Sequence, residues 1–594
     1  MKRTTYTTAL CVSILLGGFV SVPAAQAGGI APDLLQEYRA ALRPQAPAHL
    51  KRSPRRVIVQ FNTRRANARR VAAAIGGRLE AAHSIINGAS ISISLSRLQK
   101  LASLPEVGWV SPDRPLGGSA SYDNDVESMG ANLAWNTFGV RGNGVGVAVL
   151  DTGIAAGSAD WQRLGSSNSR VVAWNDLVNN QANPYDDNGH GTHVAGIVLG
   201  SGNNSPLQGD RGKINGVAPE ANLIGVKVLN RNGTGLASTV IAGLNWCVQN
   251  KGTYNIRVIN MSLGGLPGES YRTDPLATAA RRAVQAGIVV VCSAGNKGLN
   301  SQGQVSYGGI ACPGNEPTVL TVGAVNTKGT PQRGDDTVCT YSSRGPTYID
   351  HLSKPDILAP GNKIISVRAA GCKLDTDYSG NQVDAASLDG APVGNKHYFM
   401  LSGTSMAAPQ AAGAVALMLQ MNPALVPNTV KAIMMYTAQE LKIKINGTLL
   451  TAGLSNVTQG AGSLNVLGAL EVASKINCAV PIGGNWLIAP LSNQTTIAGS
   501  TFNWNRKVEQ YERLYTGDSV MALHQPIYSD QALWSDQALW SDQALWSDNH
   551  VAADQALWSD QALWSDQALW SDSTIIVESN TLVLGEDSNE IYDP

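Results

Sequence analysis

Between residues 120 and 475 the chain alternates short apolar runs with stretches of helical spacing, and this limits its fold more than any other feature. Gly144–Leu150, Asn222–Leu229, Val258–Met261, Ile288–Cys292 and Val319–Val322 read as strands, rich in Val, Ile and Leu and nearly free of charge. Runs without polar alternation suit strands buried on both faces. Ser238–Asn250 and Pro275–Ala286 read as helices between them. Such alternation over this length predicts an α/β domain of three layers, a mainly parallel sheet covered by helices on both faces.

The full 594 residues exceed one ordinary domain. Residues 1–27 have the parts of a secretory signal: Lys2 and Arg3, an apolar run Ala9–Val22, and Ala25-Gln26-Ala27 as a small-x-small cleavage site. The alternative is a short membrane anchor, for which the run is rather short. No later run is long enough for a transmembrane helix, so secretion to the exterior or the cell surface is expected. Residues 28–55 read as a linker. Residues 56–115 read as a small α+β unit: strand Val57–Phe61, helix Arg64–Ile75 ended by Gly76-Gly77, alternating strand Ala89–Leu95, short helix Arg97–Leu104 and strand Val107–Val110. So small a unit is expected to lean on a partner.

Beyond the α/β segment lies an extension, 476–528, and then a hexapeptide repeat, 529–572. Asp-Gln-Ala-Leu-Trp-Ser begins at Asp530, Asp536 and Asp542 and again at Asp554, Asp560 and Asp566. A period of six is even, so in an extended chain every tryptophan falls on one face, whereas a helix scatters them. A β-rich repeat and a low-complexity tract without fixed fold are the two readings. Residues 573–594 read as a closing β-segment. The formal net charge is zero, but no basic residue follows Arg513, so the tail is acidic and the rest basic. No basic patch is paired with stacking aromatics, which argues against a nucleic-acid partner. Six cysteines follow the apolar leader. An even number in an exported chain allows disulfides. Proximity favours Cys292–Cys312 and Cys339–Cys372, with Cys247 a buried thiol.

Three local patterns carry chemistry. An apolar strand ends at Asp151 in Val147-Ala-Val-Leu-Asp151-Thr-Gly153. His190 opens a helix in Asn188-Gly-His190-Gly-Thr-His193-Val-Ala-Gly196. Ser405 stands where a glycine turn enters a helix running to about Met421, in Ser402-Gly-Thr-Ser405-Met-Ala-Ala-Pro409. In open α/β sheets, ligands bind outside the carboxyl ends of the strands. A serine hydroxyl needs a base to act as a nucleophile. Histidine can take and return the proton, and a buried carboxylate fixes its tautomer. Asn296, just past the strand Ile288–Cys292, offers an amide donor to an oxyanion, as do backbone N–H groups at the start of the serine helix.

Asp151, His190, Asn296 and Ser405, in this order and these surroundings, resemble the subtilisin-like serine peptidases over about residues 126–474. The resemblance implies a serine endopeptidase acting on protein or peptide substrates without a catalytic cofactor. It implies that Ser262-Leu263-Gly264 and Gly233-Thr-Gly235 pair with extended substrate backbone from two sides. Residues 56–115, ending in Val110-Ser-Pro-Asp113, are similar to the family's inhibitory propeptide. Maturation would then fall between Pro115 and Val126. Structural calcium near Asp186 and Asp187, or among Asp375, Asp377, Asp384 and Asp389, is a further expectation of the resemblance. Gly264, Gly265, Ala294 and Gly295 suggest an open, unselective pocket.

Other readings of the same residues are weaker. Asp-Thr-Gly occurs once, whereas aspartic peptidase chemistry needs two carboxylates sharing a proton. His190 and His193 lack the glutamate of a helix-type zinc peptidase, so His193 reads as a buried structural histidine. Asp186 and Asp187 read as solvated loop residues or as partners that orient the histidine loop. The main rival is a surface scaffold on an inactive peptidase fold, with the tryptophan repeat as its working part. The competent residues at all four positions argue against it. An esterase with the same triad is the second rival.

Overall fold

The computed structural model describes residues 54–112 and 125–528, with short gaps at 64–65, 84–86, 206–213, 389–395, 446–447 and 511–512. It also describes a few residues between 29 and 39 and the pair Ile575–Ile576. The signal, the maturation segment, Asp389 and the whole hexapeptide repeat lie outside the described residues. The chain forms two compact units, divided after Gly118.

The first unit is a five-stranded sheet, in the order Gly29–Ile30, Val107–Pro112, Pro54–Phe61, Gly88–Ser94, Arg78–His83. Strand Gly88–Ser94 turns Ala89, Ile91 and Ile93 into a core shared with Val57, Val59, Leu98, Leu101 and Val110. Its helix starts at Ala68 rather than Arg64, because the Asn67 side chain caps it by accepting from Arg70 N at 3.1 Å. Two strands differ from the sequence expectation. Arg78–His83 has no β-branched residue to mark it. Gly29–Ile30, expected as linker, pairs in parallel with Trp109–Val110.

The second unit is built on an eight-stranded mixed sheet. Its strands are β1 Gly146–Asp151, β2 Val171–Asp176, β3 Asn222–Lys227, β5 Ile256–Met261, β6 Val289–Ser293, β7 Leu320–Asn326, β8 Thr337–Val338 and β9 Ile357–Pro360; a two-residue strand outside the sheet, β4 Thr234–Gly235, follows β3. The order is β8-β7-β6-β5-β1-β3-β2, with β9 also on β7. Only β8 runs antiparallel. β1 is therefore central, between β5 and β3. β3 stays in register with it to its end, Asp151 lying opposite Lys227. All six residues of β1 are buried, as a strand covered on both faces must be. The unit's longest helices among the described residues are α1 His190–Leu199, α2 Ala237–Gln249, α3 Pro275–Gln285, α4 Thr404–Met421, α5 Pro427–Thr437 and α6 Val466–Lys475. α2 and α3 pack on each other, and α4 packs on α1 and α6 as well as on the sheet. α4 is buried around nearly its whole circumference, and small residues on it (Ala407, Ala408, Ala411, Ala412, Gly413, Ala414) allow that closeness.

Two expectations need correction. None of the six cysteines is bonded, so the pairs Cys292–Cys312 and Cys339–Cys372 do not form. Proximity in sequence was their only basis. Cys339 is fully buried in the core, while Cys372 caps a short helix, Lys373–Asp377, with Sγ accepting from Asp375 N at 3.4 Å. Burial pushes the Cys292 and Cys372 thiols up to about 12. Second, residues 476–528 are no appendage: Trp486, Trp504 and Tyr528 are buried in the same core as α4. Of the closing segment, Ile575–Ile576 pairs antiparallel with β4. Among the described residues no helix is long and apolar enough to cross a membrane.

Candidate active site

Asp151 and His190 meet at the carboxyl end of the central strand. β1 ends at Asp151, and Gly153 turns the chain back with φ +135°, where a Cβ would lie 2.1 Å from the Tyr185 carbonyl oxygen. Only glycine accepts both conditions. That close approach lets Gly153 bridge Asp186 on the segment leading to α1. The Asp151 Oδ1 atom accepts from Thr152 N at 2.7 Å and lies 2.7 Å from His190 Nδ1. Both side chains are at most 1% exposed. With Nδ1–H donating to the carboxylate, Nε2 carries the lone pair, and it has no hydrogen-bond partner among the described residues.

Asp186 is the organiser of this corner. Its Oδ1 accepts from Thr152 Oγ1 (2.9 Å), Asn188 N (3.1 Å) and Gly189 N (2.8 Å), and its Oδ2 from Thr192 N (2.9 Å) and Thr192 Oγ1 (2.7 Å). One carboxylate thus ties the end of β1 to the first turn of α1. Of the two sequence readings, the solvated loop residue is excluded for Asp186. Asp187 instead pairs with buried Lys227 at 2.7 Å, and Lys227 also donates to the carbonyls of Thr152 and Leu229. The segment after Gly371 clamps the same loop. Lys373 N donates to Asp187 O at 3.0 Å and Leu374 N to Asn188 O at 2.9 Å. Arg368 grips Asp375 with two bonds of 2.5 and 2.8 Å. Burial opposes the Asp375 charge, but those bonds hold its carboxyl below the ordinary value. The partners of Asp187 and Asn188 could not be read from sequence, since Lys227, Lys373 and Leu374 lie far along the chain.

Ser405 stands in the first turn of α4, the helix that packs on α1. Its hydroxyl donates to Ser262 O at 3.3 Å rather than to His190. Ser262 Oγ donates to Ser405 O at 2.8 Å. Pro409 explains this second bond: it stands four residues on and has no N–H, so the Ser405 carbonyl lacks its helical donor. Asn296 is locked to the same turn, its Oδ1 accepting from Thr404 N (2.9 Å) and Thr404 Oγ1 (3.0 Å). Gly295 N in turn donates to Thr404 Oγ1 at 3.1 Å. With its oxygen occupied, the amide has its NH2 left to donate, and Asn296 lines one depression with Ser405, Leu263, Gly264, Gly309 and Ala311.

Of the expected substrate edges, Leu263 and Gly264 line this depression. Ser262, Leu263 and Gly264 follow β5 and Gly233 and Gly235 follow β3, the two neighbours of β1. Ser262 and Leu263 are both buried, and the Ser262 carbonyl already accepts from Ser405 Oγ at 3.3 Å. Arg231 O, in the turn before β4, accepts from Asn188 Nδ2 at 2.8 Å, which ties this edge to the histidine loop.

His193 is fully buried and donates from Nε2 to Phe399 O at 2.9 Å and Ile364 O at 3.2 Å. Burial, and the neighbouring His190, push it down to about 3. Of the described carboxylates suggested for calcium, Asp186, Asp187 and Asp375 are engaged as above, Asp377 pairs with Lys373 and Asp384 accepts from Ala386 N at 3.0 Å. Among the described residues no group of three or more His, Cys, Asp or Glu is arranged to hold a metal ion.

Residues 142–467 match the Subtilase family. The chain is 40% identical over 368 residues to serine protease AprX of Bacillus subtilis, covering 60% of this chain and 75% of the relative. It is 32% identical over 398 residues to subtilisin E of the same organism, covering 67% and 84%. Among solved structures, a cold adapted subtilisin-like serine proteinase is 30% identical over 55% of this chain and 88% of its own, with a TM-score of 0.36. With the match spanning more than half of its length, the chain belongs to the subtilase family of serine peptidases.

Proposed function

We propose that this peptidase is a secreted endopeptidase, made as a precursor and acting on extended peptide through an acyl-enzyme. The 2.7 Å pair of His190 Nδ1 and Asp151, which leaves Nε2 as the basic nitrogen, carries the reading. Ser405 Oγ turns from the Ser262 carbonyl to Nε2, gives up its proton there and attacks the scissile carbonyl carbon. His190 then returns the proton to the leaving amine, and water repeats the sequence to free the acid. Asp151 holds the imidazole tautomer and stabilises the imidazolium. Asn296 Nδ2 and Ser405 N hold the oxyanion. The backbone at Ser262, Leu263 and Gly264 and at Gly233 and Gly235 binds substrate by strand addition. Residues 56–115 act as an inhibitory propeptide, and residues 1–27 direct export.

A fluorophosphonate probe on the matured enzyme tests this reading: Ser405 should be the residue labelled, and Ser405→Ala should abolish labelling and peptide hydrolysis together. Hydrolysis that survives in the purified Ser405→Ala protein removes Ser405 from the nucleophile role. Processing at residues 115–126 in that variant alone would mean another protease performs the maturation.

A further inference from the structure

The β4 edge is already occupied by the chain itself. Ile575 pairs with Gly235 and Ile576 with Thr234, antiparallel. We propose that the segment around Ile575–Ile576 is a ligand of the substrate edge in cis, competing with extended peptide for β4 and so restraining access to Ser405. This rests on reading Gly233–Gly235 as a substrate edge.

Four observations carry it. First, β4 lies outside the main sheet, and Ile575–Ile576 is the strand that completes it. A strand added to an exposed edge is the binding mode that the same edge offers to any extended peptide. Second, the position is close to the chemistry. β4 follows β3, which pairs with β1 up to Asp151, and the turn before β4 is bonded to Asn188, two residues before His190. Third, the chemistry of the segment fits. Ser573-Thr-Ile-Ile-Val577 has four β-branched residues and no proline, as strand addition favours. Leu236, the residue after β4, is 66% exposed and gives the edge an apolar neighbour. Fourth, the tether is long enough: 46 residues, 529–574, separate Tyr528 from Ile575, a reach on the order of 150 Å when extended. Tethering makes a weak ligand effective, because its local concentration lies around the millimolar range.

The test starts from the intact mass of the matured enzyme. If the tail is present, Ile575→Pro with Ile576→Pro removes both backbone donors without shortening the chain, and KM for a peptide substrate should fall about three- to tenfold at unchanged kcat. If the tail has been lost, the synthetic peptide Ser573–Leu584 should raise KM competitively, and its double-proline version should not. An unchanged KM in whichever arm applies overturns the proposal. Anisotropy of the labelled peptide on the protein needs no catalysis. A protein that binds the peptide yet cleaves nothing would lose the functional reading and keep this one.

Discussion

His193 and Asn296 carry different kinds of consequence. His193 stays neutral because its ring is buried beside His190, which holds it near 3, well below the ordinary 6.5. Between these values the unfolded chain takes up a proton that the folded chain refuses. Folded stability from this group is therefore complete above about pH 6.5 and declines as pH falls towards 3, by up to about 1.4 kcal/mol per pH unit. His193→Gln keeps an amide donor for Phe399 O and has nothing to titrate. Its equilibrium unfolding should depend less steeply on pH in that window, and an equal slope would remove His193 as the source. Asn296, as the proposed oxyanion donor, should matter to rate instead. Its oxygen is held by two bonds from Thr404, so its NH2 is already aimed when charge develops. Asn296→Ala should lower kcat about 10²- to 10³-fold with little change in KM, and an unchanged kcat would take the oxyanion role away from it. Both residues were legible in the sequence, His193 as a structural histidine three residues after the glycine-flanked His190 and Asn296 as an asparagine past a strand end. Asp186 was only half legible, because its five donors come from positions 152, 188, 189 and 192 and depend on how two loops close on each other.

At the level of elements, α4 carries a defect that its neighbour repairs. Pro409 cannot donate to Ser405 O, and Ser262 Oγ does so from the end of β5. Ser262→Ala should therefore strand a buried carbonyl at a cost of about 1–3 kcal/mol. Pro409→Ala supplies the missing N–H from within the helix. The double variant should regain much of what Ser262→Ala loses, so denaturant unfolding of the four proteins should show a favourable coupling of about 1 kcal/mol or more. Strict additivity would mean that the Ser262 bond contributes nothing to the helix. The helix itself was visible as an apolar run entered by a glycine turn. Its dependence on Ser262 was not, since the two residues are 143 apart in sequence. The same limit applies to strands. β1, β3, β5, β6 and β7 announced themselves as Val- and Ile-rich runs. β2 was missed because its burial is only partial and Trp, Asn and Asp interrupt its pattern, and β9 because four residues give too little periodicity.

For the molecule as a whole, the boundary of the family match and the boundary of the folded core do not coincide. The match ends at residue 467, and strand–helix alternation in the sequence stops near 475. The core runs on to Tyr528. Trp486 stacks on Tyr528 with ring centroids 5.3 Å apart and donates to Met521 O at 2.8 Å. Trp504 meets Tyr436 of α5 edge-on at 6.1 Å, and Asn505 and Arg506 donate their backbone N–H groups to Ala438 O and Tyr436 O. Thr429 Oγ1, also on α5, bonds Tyr528 O at 2.8 Å. Alternation cannot reveal such a segment, because it consists of hairpins and single turns whose aromatics bury only once they reach α5. Each large aromatic withdrawn from water stabilises by about 1.5–3 kcal/mol, so three together rival the whole net stability of an ordinary domain, about 5–15 kcal/mol. A chain stopped after Lys475 should thus lose its cooperative thermal transition, although it contains every residue of the proposed catalytic set. A chain stopped after Tyr528 should melt within about 2 °C of the full chain, since it keeps all of these contacts. Calorimetry of the two, each made with its own residues 28–115 and with Ser405→Ala to prevent self-digestion, separates the cases. A cooperative transition at the full-length temperature in the shorter chain would show that residues 476–528 only decorate the catalytic core.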